Sequence, residues 1–300
     1  MASNVSVTSG NSQMMGAVST APAGAKLWWL RTRKALRSPT PWLMTFGVVL
    51  WIGAYYVLSE GLQVWRFAKI PGPVAVLTDL LSKNPAWGLS IYTPDYYLHI
   101  GISCFRVFAG FAIATIVGVP LGLFMGWSIA FKDYTFPVLE TLRPIPILAW
   151  VPLAILMFTG VETSVIFLAT LASFFVTTLN TLLGVESIDK SYFRAAACLG
   201  SQPRHVFWHV VVPGAMPFIF TGLQISIAVA WFSLVAAEMV SGQYGLGYVI
   251  MNSYTTMTYV TMVIGMLTLG FVGWVSSALV RFAGNRMMQW HVRALALEGR

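Results

Sequence analysis

The side chains able to do chemistry in this sequence are few, and most are single charges set in apolar surroundings. Arg106, Glu140, Arg143 and Glu238 lie in or beside long hydrophobic stretches. A charge at the centre of a bilayer costs at least about 2.5–3.5 kcal/mol, so each is expected to be paired, to snorkel to an interface or to line a water-filled path. Glu140 and Arg143 are three apart, a spacing that lets them pair on one helix face near the inner surface. Arg143 also precedes Pro144, Pro146 and Pro152, which interrupt backbone hydrogen bonding and belong where protein or water re-satisfies it. With Trp150, these residues make the segment a pore-lining candidate. Glu238, near the outer end of a hydrophobic stretch, reads as a gate or an interhelical contact. For Arg106, snorkelling or packing is favoured over attraction of an anion.

Other chemistries lack their parts. No Ser/His/Asp set, pair of catalytic carboxylates or complete metal spacing emerges; His205 and His209 are four apart but have no third ligand. Cys104 and Cys198 read as inert small residues. A phosphate-binding loop places Gly before its Lys, and none of the six lysines follows a glycine. This chain therefore holds no ATPase engine of that kind.

The elements that must position these residues are helices in lipid. Hydrophobic residues make up 57% of the 300 and charged residues only 9%, with a mean hydropathy of +0.73. A soluble domain carries about 25% charged residues. The formal charge of +8 fits basic cytoplasmic loops rather than nucleic-acid binding, because no basic stretch is interleaved with aromatics on a soluble module. About six spans of roughly 20 residues are expected, near residues 42–58, 97–127, 142–158, 163–185, 213–240 and 259–280. Lys and Arg cluster on one side of this arrangement, from Lys26 to Arg37 and at Lys132, Lys190, Arg194, Arg204 and Arg281 onward. The other side has only Arg66, Lys69 and Lys83. Both termini are thus expected in the cytoplasm.

The organisation expected is a cytoplasmic tail over 1–38, a transmembrane domain over 39–285 and a second tail over 286–300. The first tail opens on 25 residues that are Ser-, Ala-, Asn- and Gly-rich and without Lys or Arg. It then becomes basic and tryptophan-bearing, as suits a membrane interface or a positive anchor. A hydrophilic excursion at 186–212 interrupts the transmembrane domain. Pro203 can open a helix there, Val206, Phe207, Val210 and Val211 form an apolar stripe, and Gly200 stands where a preceding short helix ends. This is a helix–turn–helix outside the membrane whose apolar face needs either a partner or its own helix ends.

The same segment resembles the EAA loop of ABC importer permeases. Ala195, Ala196, Gly200, Val210 and Pro213 match that pattern, with Val212 in place of Leu and Arg194 in place of the usual glutamate. Thr141–Leu153, Leu234–Met239, Gly245–Tyr248 and Ser103–Val107, with Gly118 and Pro120–Gly122, resemble the nitrate/sulfonate/taurine/bicarbonate group of these permeases across about residues 40–290. The resemblance implies an all-α polytopic bundle of the type I ABC importer permease fold in the cell inner membrane. It implies that Arg194, Ala195, Ala196, Gly200, Phe207, Val210 and Pro213 form a coupling region. The partners implied are a cytoplasmic P-loop ATPase carrying ATP and Mg, a periplasmic solute-binding protein and a second permease copy. No cofactor is expected on this chain. The solute implied is a small oxyanion such as a sulfonate, taurine or nitrate. An ATP-independent secondary transporter or channel, a membrane-embedded enzyme and a non-transporting anchor are the rival readings.

Overall fold

The computed structural model describes residues 39–58, 70–85, 89–241 and 243–288. The expectations for the tails at 1–38 and 289–300, and for 59–69, lie outside the described residues. The chain divides into two compact units, residues 1–62 and 63–300. In the first, α1 (Pro39–Tyr56) is a helix whose apolar part, Thr45–Tyr56, is ~18 Å long at 1.5 Å per residue. That is shorter than the ~30 Å hydrocarbon core.

The second unit begins with α2 (Pro73–Leu80), opened by a proline in its first turn. Next come α3 (Pro94–Trp127), α4 (Ile129–Leu142), a 3-10 turn at Ile147–Trp150 and α5 (Val151–Met157). They are followed by α6 (Val161–Glu186), α7 (Lys190–Cys198), α8 (Pro203–Val206) and a π-helical turn at Phe207–Val211. Then come α9 (Val212–Ser241), α10 (Leu246–Thr255) and α11 (Tyr259–Met287). No strand occurs among the described residues.

Among the described residues, four helices are long and apolar enough to cross a membrane: α3, α6, Pro203–Val240 and α11. The expected span at 142–158 is instead a broken pair, Ile129–Leu142 and Ile147–Met157, bent by 87°. Pro144 and Pro146 lack the N–H donors that would carry α4 onward, and α4 stops before them. Two other expectations change. The second limb of the excursion is not a separate helix, because Pro203–Val240 runs without interruption into the membrane. The connection expected between the spans at 213–240 and 259–280 contains α10.

The bundle is closed by small residues. Along α3, Gly110 faces Ala169 and Thr170, and Gly118 faces Thr177 and Thr178. Gly122 and Gly126 continue the row against Thr181 and Val185 of α6. A Cβ at Gly122 would stand 2.6 Å from the Thr178 carbonyl oxygen, so only hydrogen allows this approach. Where lipid removes most of the hydrophobic drive between helices, such close backbone packing is what holds them together. α9 also packs closely on α6, with Gly184 against Ala215 and Phe218, and Gly222 against Asn180. Val107, Leu168, Ile227, Ala230, Leu234 and Leu246 build the largest buried cluster. Buried hydroxyls add ties between helices: the Trp231 Nε1–H donates to Ser276 Oγ at 2.8 Å, and Ser233 Oγ donates to the Leu168 carbonyl at 3.1 Å.

Candidate functional site

Functional side chains collect in three places along the bundle axis. At one end the chain leaves α6 and turns. The Asp189 carboxylate caps α7 by accepting the Ser191 N–H at 2.7 Å, and this bond holds its carboxyl below the usual aspartate range. α7 closes with the Ser201 N–H bonded to the Ala196 carbonyl and the Gly200 N–H to that of Ala197, each at 3.0 Å. Gly200 sits between them at φ +66, the left-handed conformation that terminates helices in this way.

No residue of α7 is buried. Arg194 and Ala195 are exposed and Ala196 is half-buried, while Tyr192 and Leu199 project at 62% and 84% exposure. Phe207 is different: its ring stacks on Phe124, centroids 5.7 Å apart, and meets Trp127 edge-on at 5.5 Å. It thus packs on the end of α3. Val210 and Pro213 line a groove between the two limbs, with Ile188, Tyr192 and His209. The His205 and His209 rings stack with centroids 3.9 Å apart, and no group of three metal-capable residues occurs among the described residues.

At mid-length, the break between α4 and α5 faces a groove of about 530 Å³ lined by Arg143, Lys132, Phe136, Phe175, Asn180 and Glu186, among others. Arg143 caps α4, its N–H reaching the Leu139 carbonyl at 2.9 Å. The expected Glu140–Arg143 pair is not among the ion pairs of the described residues. Lys132 pairs with Glu186 instead. Pro144 and Pro146 are exposed at the break and Pro152 is exposed in the first turn of α5. Trp150 packs against the main core cluster.

At the far end Arg106, 1% exposed, joins three elements. Its Nε and Nη2 donate to the Glu162 carboxylate, the Nε bond being 2.7 Å. Its Nη1 donates to Glu238 Oε1 and to the Tyr244 carbonyl, both at 2.8 Å. Ser103 Oγ donates to Glu238 Oε1 at 2.8 Å and accepts the Leu246 N–H at 2.9 Å, while Glu238 Oε2 accepts the Gly247 N–H at 2.9 Å. Two orphan donors of the α10 N-terminus are satisfied this way, one by a carboxylate, as the helix dipole favours. Gly245 makes the approach possible: it adopts φ +118, and a Cβ there would overlap the Glu238 carboxylate. Glu238 thus ties α3, α9 and α10 together, and the groove at mid-length is lined by other residues. Glu162 was not singled out from sequence, where it looks like an ordinary acid in a first helical turn.

Residues 118–293 match the family described as binding-protein-dependent transport system inner membrane component. The chain is 32% identical to the taurine transport system permease protein of Escherichia coli over 83% of this chain and 92% of that protein.

The chain belongs to this permease family.

It is also 31% identical to the nitrate import permease protein of Synechocystis over 74% of this chain and 83% of that one. In fold it is similar to a chain of the inward-facing MetNI methionine ABC transporter, with TM-score 0.54 and 17% identity over 64% of this chain and 94% of that one. The permease is thus an all-helical inner-membrane transport subunit of an ABC importer.

Proposed function

We propose that this permease works as one of two copies around a central path, driven by a separate P-loop ATPase and loaded by a periplasmic binding protein. The observation that carries the reading is α7: a well-capped helix that buries none of its residues. A helix capped at both ends yet unpacked has a partner to meet, and Tyr192 and Leu199 offer that partner an aromatic and an aliphatic contact. In this reading α7 docks on the cytoplasmic ATPase, and both termini face the cytoplasm, in keeping with the one-sided Lys and Arg. Phe207 serves the docking helix from behind, by fixing the second limb to α3. The solute is a small oxyanion, supported by the names of the taurine and nitrate permeases that the chain resembles.

The test is gentle purification of the tagged permease, with identification of what co-elutes, followed by uptake assays in vesicles with the binding protein. A P-loop ATPase at about one per permease, with ATP-dependent uptake of taurine or nitrate, is the expected result. Uptake that proceeds without ATP or an ATPase would replace this reading with that of a secondary transporter.

A further inference from the structure

We infer that Arg143 is the anion contact of the translocation path, a site for the negatively charged head of a small monovalent oxyanion; this rests on the oxyanion-importer reading above. Three observations converge on it. The first is depth. Arg143 lies eleven residues beyond Lys132 and so ~16 Å further along α4 at 1.5 Å per residue. The same groove follows α6 from Glu186 to Ala172, ~21 Å of a ~30 Å hydrocarbon core. A guanidinium that far from the loop end is costly unless it serves water or a ligand.

The second is charge. Of the groove's three charged residues, Lys132 and Glu186 neutralise each other. Arg143 makes no ion pair among those of the described residues, although Glu140 lies only three positions away. The groove is left with one net positive charge. The third is backbone. Arg143 stands at the break of a span bent by 87°, and irregular backbone at membrane depth is tolerated where it borders protein or a water-filled cavity.

The remaining walls fit such a solute. A guanidinium fork binds two oxygens of a planar or tetrahedral oxyanion at once, and Asn180 adds an amide. Phe136, Ile147, Phe175 and Ile225 supply apolar surface for an alkyl chain. The two arginines at membrane depth do different work. Arg106 at the far end has four of its five N–H donors taken by Glu162, Glu238 and the Tyr244 carbonyl, so it is a structural cation, whereas Arg143 is an available one.

The experiment uses the assembled transporter in membrane vesicles, with taurine and nitrate as probes, and compares wild type with Arg143→Gln and Arg143→Lys. Arg143→Gln is expected to lower the initial uptake rate at least ten-fold. Arg143→Lys, which keeps the charge and loses the fork, is expected to fall between. Both variants are expected to retain the ATPase at the wild-type ratio on purification. Uptake by Arg143→Gln at the wild-type rate would overturn the assignment alone. So would loss of the ATPase in parallel with uptake in both variants, which would make Arg143 an assembly residue. Failure of the wild type to take up either probe would overturn the oxyanion reading and this site with it.

Discussion

Replacing Glu238 by glutamine tests whether the far-end network holds the bundle together. The change keeps the shape and removes the charge from a side chain that is 1% exposed. The carboxylate accepts from Arg106, Ser103 and Gly247, with both oxygens engaged. A glutamine oriented to keep the Arg106 bond presents its NH₂ to the Gly247 N–H, donor against donor. Leaving one buried donor unsatisfied costs about 1–3 kcal/mol. Losing the ionic character of the Arg106 bond adds about 1 kcal/mol. The sum, about 2–4 kcal/mol, approaches the ~3–5 kcal/mol of breaking a buried ion pair outright.

The measurement is unfolding of purified permease in mixed micelles titrated with a denaturing detergent, followed by tryptophan fluorescence. Arg106→Gln and the double variant complete a cycle in which the double change should cost less than the sum of the singles. A Glu238→Gln protein within about 0.5 kcal/mol of wild type, the range of an ordinary surface substitution, would refute the reasoning.

Four further outcomes are expected. Gly126→Leu, placed where even a Cβ overlaps the Val185 side chain, should cost at least about 1–3 kcal/mol by overpacking in the same unfolding assay, whereas the change at Gly270, which has open space, should cost far less. Leu199→Ser together with Tyr192→Ala should release the ATPase on purification while leaving the unfolding curve unchanged. Phe207→Ala should lower stability as well, since its ring is half-buried against α3. The Asp189 carboxyl, held below the usual range by its bond from Ser191, supports α7 above its unfolded-state pKa and loses that support as pH falls through its folded value. Hydrogen exchange at the Ser191 amide should therefore quicken at acid pH in wild type, after allowance for intrinsic exchange, and already at neutral pH in Asp189→Ala.

What the sequence could and could not convey follows from the range of the forces involved. Long apolar runs bound by polar residues define spans locally, and α3, α6 and α11 begin within four residues of their expected starts. Gly200 was legible because a left-handed helix end is a property of a few neighbouring residues. The broken span was half legible: Pro144 and Pro146 marked interrupted bonding, but the 87° bend depends on what α6 and α9 offer on either side. The Arg106 network was not legible as a unit. Its members are separated by 56 and 132 positions, and only the fold brings them together. Glu162 gave no local signal at all. The Glu140–Arg143 pair is absent although Arg143 keeps helical backbone and bonds its N–H to the Leu139 carbonyl, so a permissive spacing did not by itself make the contact.

The helix from Pro203 to Val240 is a single rod of 38 residues, ~57 Å long. Phe207 stands near one end and Glu238 near the other, so the exposed turn after α7 and the anchor of α10 lie at the two tips of one rod. A tilt imposed at the loop end reaches Glu238 without passing through a hinge, except for the compliance of the π-turn at Phe207–Val211 and of Pro217. Both soft points lie in the half nearer the loop. The far half, beyond Pro217, runs to Val240 without another proline, so a tilt of its near end carries Glu238 and the N-terminus of α10 with it.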